Sequence, residues 1–182
     1  MRFLPTELEG CVVVEPEPHH DERGFFARTF SADDFRALGL NPAVAECSVS
    51  FNSVRGTLRG MHFQAAPHAE AKLVRCTRGR MFDVAVDLRP ESPTYLRWTS
   101  VELTADNRRS LFVPEGFAHG FLTLEDATEV SYQVSHPYVA GSGSGLRWDD
   151  PRLAIAWPDV GSLTISDRDR AWPLLDVSDR RR

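Results

Sequence analysis

Hydrophobic and polar residues alternate most clearly from Met81 to Leu88, where Phe82, Val84, Val86 and Leu88 interleave with Asp83 and Asp87. A period of two predicts a β-strand with one buried and one polar face. The segments Ala71 to Thr77, Trp98 to Leu103, Ser110 to Val113, Gly120 to Leu124 and Thr128 to Val134 read the same way. From Cys11 to Val134 the chain consists mostly of such short runs, rich in valine, phenylalanine and threonine and broken by Gly, Pro or Asp/Asn. Short strands at near-even spacing predict a mainly β sandwich or barrel, and the jelly roll is the version that encloses a small-molecule pocket.

Helices are expected to be few, short and peripheral. One is marked by Ser31 as its cap, Asp34 where a capping box places an acid, and Gly39 at its end. Ala140 to Gly145, AGSGSG, reads as a flexible loop. R-W-D-D-P and I-A-W-P read as turn-rich structure leading to S-D-R-D-R at Ser166 to Arg170, and 178–182 as a solvated, disordered tail.

At 182 residues the chain is expected to form one domain, 1–182. Its 42% hydrophobic and 26% charged residues are those of an ordinary soluble globular protein, so disorder is not expected. A net charge of −5 with interspersed signs offers no basic stripe for a phosphate backbone, which argues against nucleic acid as a partner. No apolar run approaches a membrane span, so no membrane partner is expected. Cys11, Cys47 and Cys76 are scattered, with no C-x-x-C pair and no secretory signal. They predict a reducing cytoplasm and buried thiols acting as small apolar residues.

The chemistry-bearing residues concentrate in G-T-L-R-G-M-H-F-Q at Gly56 to Gln64, in the K-L-V-R-C segment that follows, and in V-P-E-G-F-A-H-G-F. These strand-like segments can aim His62, Lys72 and neighbouring arginines into one pocket with fixed geometry. Lys72 is the only lysine among 21 basic residues. An ammonium is a compact charge able to give up a proton, so its retention in an arginine-rich chain points to a chemical need.

Seven motifs in order, D-x-R-G at Asp21 to Gly24, G-T-L-R-G-M-H-F-Q, A-K-L-V-R-C, G-R-M-F-D-V-A-V-D-L-R, P-E-G-F-A-H-G-F, R-W-D-D-P and S-D-R-D-R, resemble the dTDP-4-dehydrorhamnose 3,5-epimerase family from Asp21 to Pro173. The resemblance implies a cupin-type jelly roll, a homodimer, and action without metal or organic cofactor on a nucleoside diphosphate 4-keto-6-deoxyhexose, expected to be dTDP-linked. The reaction removes a proton next to the C4 ketone and returns one on the opposite face, which needs a base, an enolate stabiliser and an acid. By resemblance His62 is the base, Asp169 the carboxylate paired with it, Lys72 the group at the ketone oxygen and Tyr132 the far-face acid. His119 matches a substrate-contacting histidine, and Tyr138 an aromatic that stacks on the nucleobase. Arg23, Arg59 and Arg168 match basic positions that hold the diphosphate or nucleotide, the third usually a lysine in the family.

The chain departs from the family pattern where the nucleotide and sugar are read. Arg28 replaces a glutamate, Gly143 replaces another, and a Q-D-N run is Cys47, Ser48 and Val49. These changes imply the same class of chemistry on a related substrate. Three other readings stay open: a metal-dependent cupin, for which Pro114 to His119 fits one motif but His62-Phe63-Gln64 lacks the second histidine of the other; a sugar-nucleotide 3,4-ketoisomerase; and a non-catalytic sugar-nucleotide binding protein.

Overall fold

The computed structural model describes residues 1–175; the tail expected at 178–182 lies outside them. The elements are β1 (Arg2–Pro5), β2 (Val12–Glu15), β3 (His19–Asp21), β4 (Gly24–Phe26), α1 (Ala32–Ala37), β5 (Glu46–Asn52), β6 (Leu58–Gln64), β7 (Lys72–Arg78), β8 (Arg80–Asp87), β9 (Trp98–Thr104), β10 (Ser110–Val113), β11 (Phe117–Thr123), β12 (Thr128–Val134), β13 (Gly143–Gly145) and α2 (Asp167–Arg170). The strands form a six-stranded sheet ordered β1-β2-β10-β7-β12-β5, a five-stranded sheet ordered β13-β6-β11-β8-β9, and the separate hairpin β3-β4. Every pairing between named strands is antiparallel. The result is the expected mainly β jelly-roll sandwich.

Between the sheets, Val74, Cys76, Leu111, Val113 and Val130 of one meet Met81, Ala85, Leu103, Phe117 and Phe121 of the other. Both outer faces are covered in part as well. Met61, Val84, Val86 and Ala118 pack outward under Leu146, Leu153 and Trp157 of the C-terminal segment. Val14, Leu73 and Phe112 pack under α1 through Phe35. Burial of a phenylalanine of this kind is worth about 2–3 kcal/mol.

This layering corrects the reading of β8. Phe82, Val84, Val86 and Leu88 face outward onto the C-terminal segment, while Asp83 and Asp87, expected on a solvated face, share the inward side with Met81 and Ala85 and are fully buried. Cys47 is a second correction: it is exposed, whereas Cys11 and Cys76 are buried as expected. Burial pushes those two thiols up to about 12 and about 11.

The capped helix is present as expected. Ser31 Oγ accepts from Asp34 N–H, and Gly39 takes a left-handed φ of 71°. Gly39 N–H then reaches Arg36 O, and Leu40 N–H reaches Phe35 O. The AGSGSG loop is in part a strand, because β13 pairs with β6 through Gly143↔Gln64, Ser144↔Phe63 and Gly145↔His62. Among the described residues no helix is long and apolar enough to cross a membrane.

Candidate active site

Strand alternation aims the polar residues of several strands into the space between the sheets. On β7, Lys72 shares the face of Val74 and Cys76, both in the core. On β12, Tyr132 shares the face of Val130 and packs against the same cluster. On β11, His119 lies between Phe117 and Phe121 on the inward face. β6 breaks alternation: His62 pairs with His119 but Arg59 pairs with Phe121, so β6 carries one residue more than β11 over that span. The bulge puts Arg59 and His62 on one face although they are three apart.

Two His–Asp pairs result, side by side on neighbouring strands. His62 Nε2 lies 2.7 Å from Asp169 Oδ1, with the imidazole 40% exposed and the carboxylate 6%. Asp169 is placed by α2, whose cap Ser166 accepts its N–H through Oγ, and its Oδ2 accepts from Gly60 N–H at 3.4 Å. Burial raises the Asp169 pKa, but the hydrogen bond and charge of His62, with Gly60 N–H and the Trp172 indole, outweigh it. The carboxyl therefore sits below its ordinary value. The second pair, His119 Nε2 to Asp83 Oδ1 at 2.7 Å, is sealed from solvent.

Lys72 Nζ lies 3.2 Å from Glu70 Oε1 and donates to His62 O at 3.3 Å. Glu70 also accepts from Gln64 Nε2 at 2.8 Å. Across the sandwich, the Tyr132 ring stands edge-on to His119 with centroids 6.3 Å apart, and its hydroxyl is 3.4 Å from Ser50 Oγ. Burial pushes the phenol pKa well above its ordinary value, so the hydroxyl keeps its proton across the neutral range.

A pocket of about 180 Å³ opens at His62, lined also by Gln64, Glu70, Tyr138, Gly143 and Arg168. Tyr138 is 61% exposed at its rim. Arg168 lies over the Trp172 ring with Cζ 5.3 Å from the centroid, and Arg59 Nε donates to Asn52 Oδ1 at 2.8 Å. Arg59, Lys72, His119 and Tyr132 are not part of this lining, and neither is Arg23, which lies in the turn between β3 and β4, largely exposed and paired with Asp21. Arg28 lines a different cleft, with Glu17, His19 and Phe26. Glu70, Asp83 and Trp172 escaped the sequence reading. Asp83 is the one with a visible signal, an acid flanked by the apolar Phe82 and Val84 of β8.

Among the described residues no three His, Cys, Asp or Glu side chains converge as a set that could hold a metal ion. What the site presents instead is proton-exchanging groups: the His62 imidazole of one sheet, backed by the Asp169 carboxylate of α2, and on the facing sheet the Tyr132 phenol, which meets His119.

An antiparallel jelly roll carrying these groups inside is a cupin-type sandwich built around a small-molecule pocket. The family model for dTDP-4-dehydrorhamnose 3,5-epimerase matches residues 5–176, and the chain belongs to that family. A dTDP-4-dehydrorhamnose 3,5-epimerase of Methanothermobacter thermautotrophicus is 49% identical over 173 residues, covering 94% of this chain and 92% of its own. The structure of the Bacillus anthracis dTDP-4-dehydrorhamnose 3,5-epimerase with TDP and PPi bound is similar, with a TM-score of 0.91, 42% identity, and coverage of 96% of this chain and 99% of its own. A 3'-monoepimerase from Streptomyces bikiniensis, in complex with dTDP-quinovose, gives a TM-score of 0.87 at 36% identity, covering 94% and 86%.

Proposed function

We propose that this isomerase inverts C3 and C5 of a dTDP-linked 4-keto-6-deoxyhexose, with His62 as base. Asp169 on Nε2 keeps the proton there and leaves the Nδ1 lone pair to attack the sugar C–H. The positive charge that forms on the ring faces a carboxylate held ionised. The electron pair released from carbon moves onto the C4 oxygen, where the Lys72 ammonium stabilises the enolate. Tyr132, on the opposite sheet and protonated, returns a proton to the other face of the carbon. Only protons move, so the step as written calls for no electron carrier.

The observation that carries this reading is the 2.7 Å contact between His62 and Asp169 at the pocket, with the half-buried Tyr132 phenol on the facing sheet against His119. Arg59 and Arg168 are assigned to the diphosphate, Tyr138 to the base and His119 to the sugar. Arg23 is assigned to the site of a second copy in a homodimer, since it stands exposed on the β3-β4 hairpin, outside the two sheets that carry the other strand-borne site residues. The nucleotide is taken as thymidine-linked because the solved relatives carry TDP or a dTDP-sugar.

The test is incubation with dTDP-4-keto-6-deoxyglucose in deuterated water, following C3 and C5 by NMR. Deuterium at both carbons is expected, while His62→Ala should exchange neither and still fold. Tyr132→Phe should exchange but form little inverted product. Exchange at C3 alone would replace this reading with a monoepimerase, and none at either carbon would remove the activity.

A further inference from the structure

Trp172 has no part in the proposed reaction, yet it lies beside His62, Asp169 and Arg168. Its ring stands edge-on to the His62 imidazole, centroids 6.5 Å apart at an interplanar angle of 65°. The Arg168 guanidinium lies over it. The indole Nε1 is buried without an aligned acceptor, and the ring lies near enough to Asp169 to favour its charged form.

The strand beside it is built to admit it. A Cβ on Gly145 would lie 2.3 Å from Trp172 Cε2 and 2.5 Å from Nε1, so no larger residue fits while the indole is in place. Gly145 is also the residue of β13 that pairs with His62, which ties the position of the indole to that of the imidazole through one backbone register. Behind the ring the chain is anchored twice: Arg147 N–H donates to Pro173 O at 3.3 Å, and Leu175 N–H donates to Asp150 Oδ2 at 2.6 Å. Asp150 is itself buried. The R-W-D-D-P segment thereby acquires a task, holding the chain that follows α2 against the site.

We propose that Trp172 is a positioning residue: it holds the His62 ring against Asp169 and Arg168 at the pocket rim without touching the reacting atoms. The inference rests on the reading of His62 and Asp169 as the base pair. The His62 side chain is 40% exposed, and its ring hydrogen bond runs to Asp169. Misplacing a base by an ångström can cost on the order of 100-fold in rate.

The test pairs kinetics with the NMR signal of the His62 ring N–H that faces Asp169, observed in the free protein without substrate. Trp172→Ala should broaden or abolish that signal by admitting water, and lower kcat on the order of 10–100-fold. Trp172→Phe, which keeps an aromatic wall, should retain the signal and most of kcat. Gly145→Ala, which forces the indole off the strand, should reproduce the loss and add nothing in the Trp172→Ala background. An undisturbed His62 signal and kcat in Trp172→Ala would overturn the proposal. So would a Gly145→Ala cost that persists undiminished without the tryptophan. If the wild-type protein exchanges no deuterium with substrate, the proposed reaction fails, while the His62 signal still decides whether Trp172 positions the ring.

Discussion

Asp83 and Asp87 occupy the polar positions of β8, and both are buried where alternation alone would expose them. For Asp87 the number of donors it meets permits this, whereas Asp83 has His119 on Oδ1 and no partner on its buried Oδ2. Asp87 accepts from Arg89 N–H, Nε and Nη2 at 2.8 to 3.0 Å, and from the hydroxyls of Ser92 and Thr94 at 2.5 and 2.7 Å. Burial pushes its carboxyl up, but these donors prevail and hold it at about 2, against an ordinary 3.8. A carboxyl lowered on folding adds stability above its unfolded value and loses it as pH falls through the folded one. We therefore expect about 1–2 kcal/mol to disappear between pH 5 and pH 2 through this residue. Asp87→Asn, which sets an amide N–H2 among five donors, should cost on the order of 2–4 kcal/mol at neutral pH and lack that acid-dependent step. Denaturant melts of both proteins across the range decide it: parallel pH profiles would show that Asp87 does not carry the linkage. Asp169 follows the same sign, so its charge is in place throughout the neutral range in which His62 is proposed to act.

At the scale of elements, the two His–Asp pairs stand side by side because β6 and β11 approach closely. A Cβ on Gly120 would lie 2.6 Å from Met61 Sδ and 2.9 Å from Arg59 O, and one on Gly60 2.7 Å from Gly120 Cα. Gly120→Ala should therefore push β6 away from β11, costing about 1–3 kcal/mol by overpacking and lowering kcat by shifting His62 out of register with His119. Thermal melts beside exchange kinetics test this, and a variant as stable and active as wild type would show that the strands have room. The same strands mark how far sequence could be read. Period-two runs located β7, β8, β9, β10 and β12, and the Ser31 to Gly39 signals located α1, because local chemistry determines those features. The shared face of Arg59 and His62 was not legible, since it comes from a bulge against β11, fifty-seven residues further along from His62. β13 was hidden for a similar reason: its glycines read as flexibility, but at Gly145 the missing side chain is space for Trp172. Motif order singled out His62, Asp169, Lys72 and Tyr132 as candidates; only the layering of two sheets and a C-terminal cover places Asp83 inside.

For the whole molecule, the unaccounted feature is the hairpin β3-β4. It pairs with neither main sheet, exposes Phe25 at 43% and Phe26 at 76%, and presents Arg23 to solvent. The edge strand β5 adds exposed Val49 and Phe51. Apolar side chains on an unpaired edge and an isolated hairpin favour association, and a two-fold dimer would cover both patches at once. If the homodimer proposed above places Arg23 in its partner's pocket, two defective proteins can repair each other. A heterodimer of Arg23→Ala with His62→Ala contains one pocket with both residues intact and one with neither. Random re-pairing of equal amounts makes half the dimers mixed, so about a quarter of all pockets, and about a quarter of wild-type activity, should return on mixing after dissociation. An arginine acting within its own chain leaves every mixed pocket lacking one residue or the other, and mixing would then return nothing beyond the average of the two parents. Sedimentation of Phe26→Asp gives the complementary measurement. A monomer without exchange activity fits a shared site, whereas a fully active monomer would confine the whole reaction to one chain.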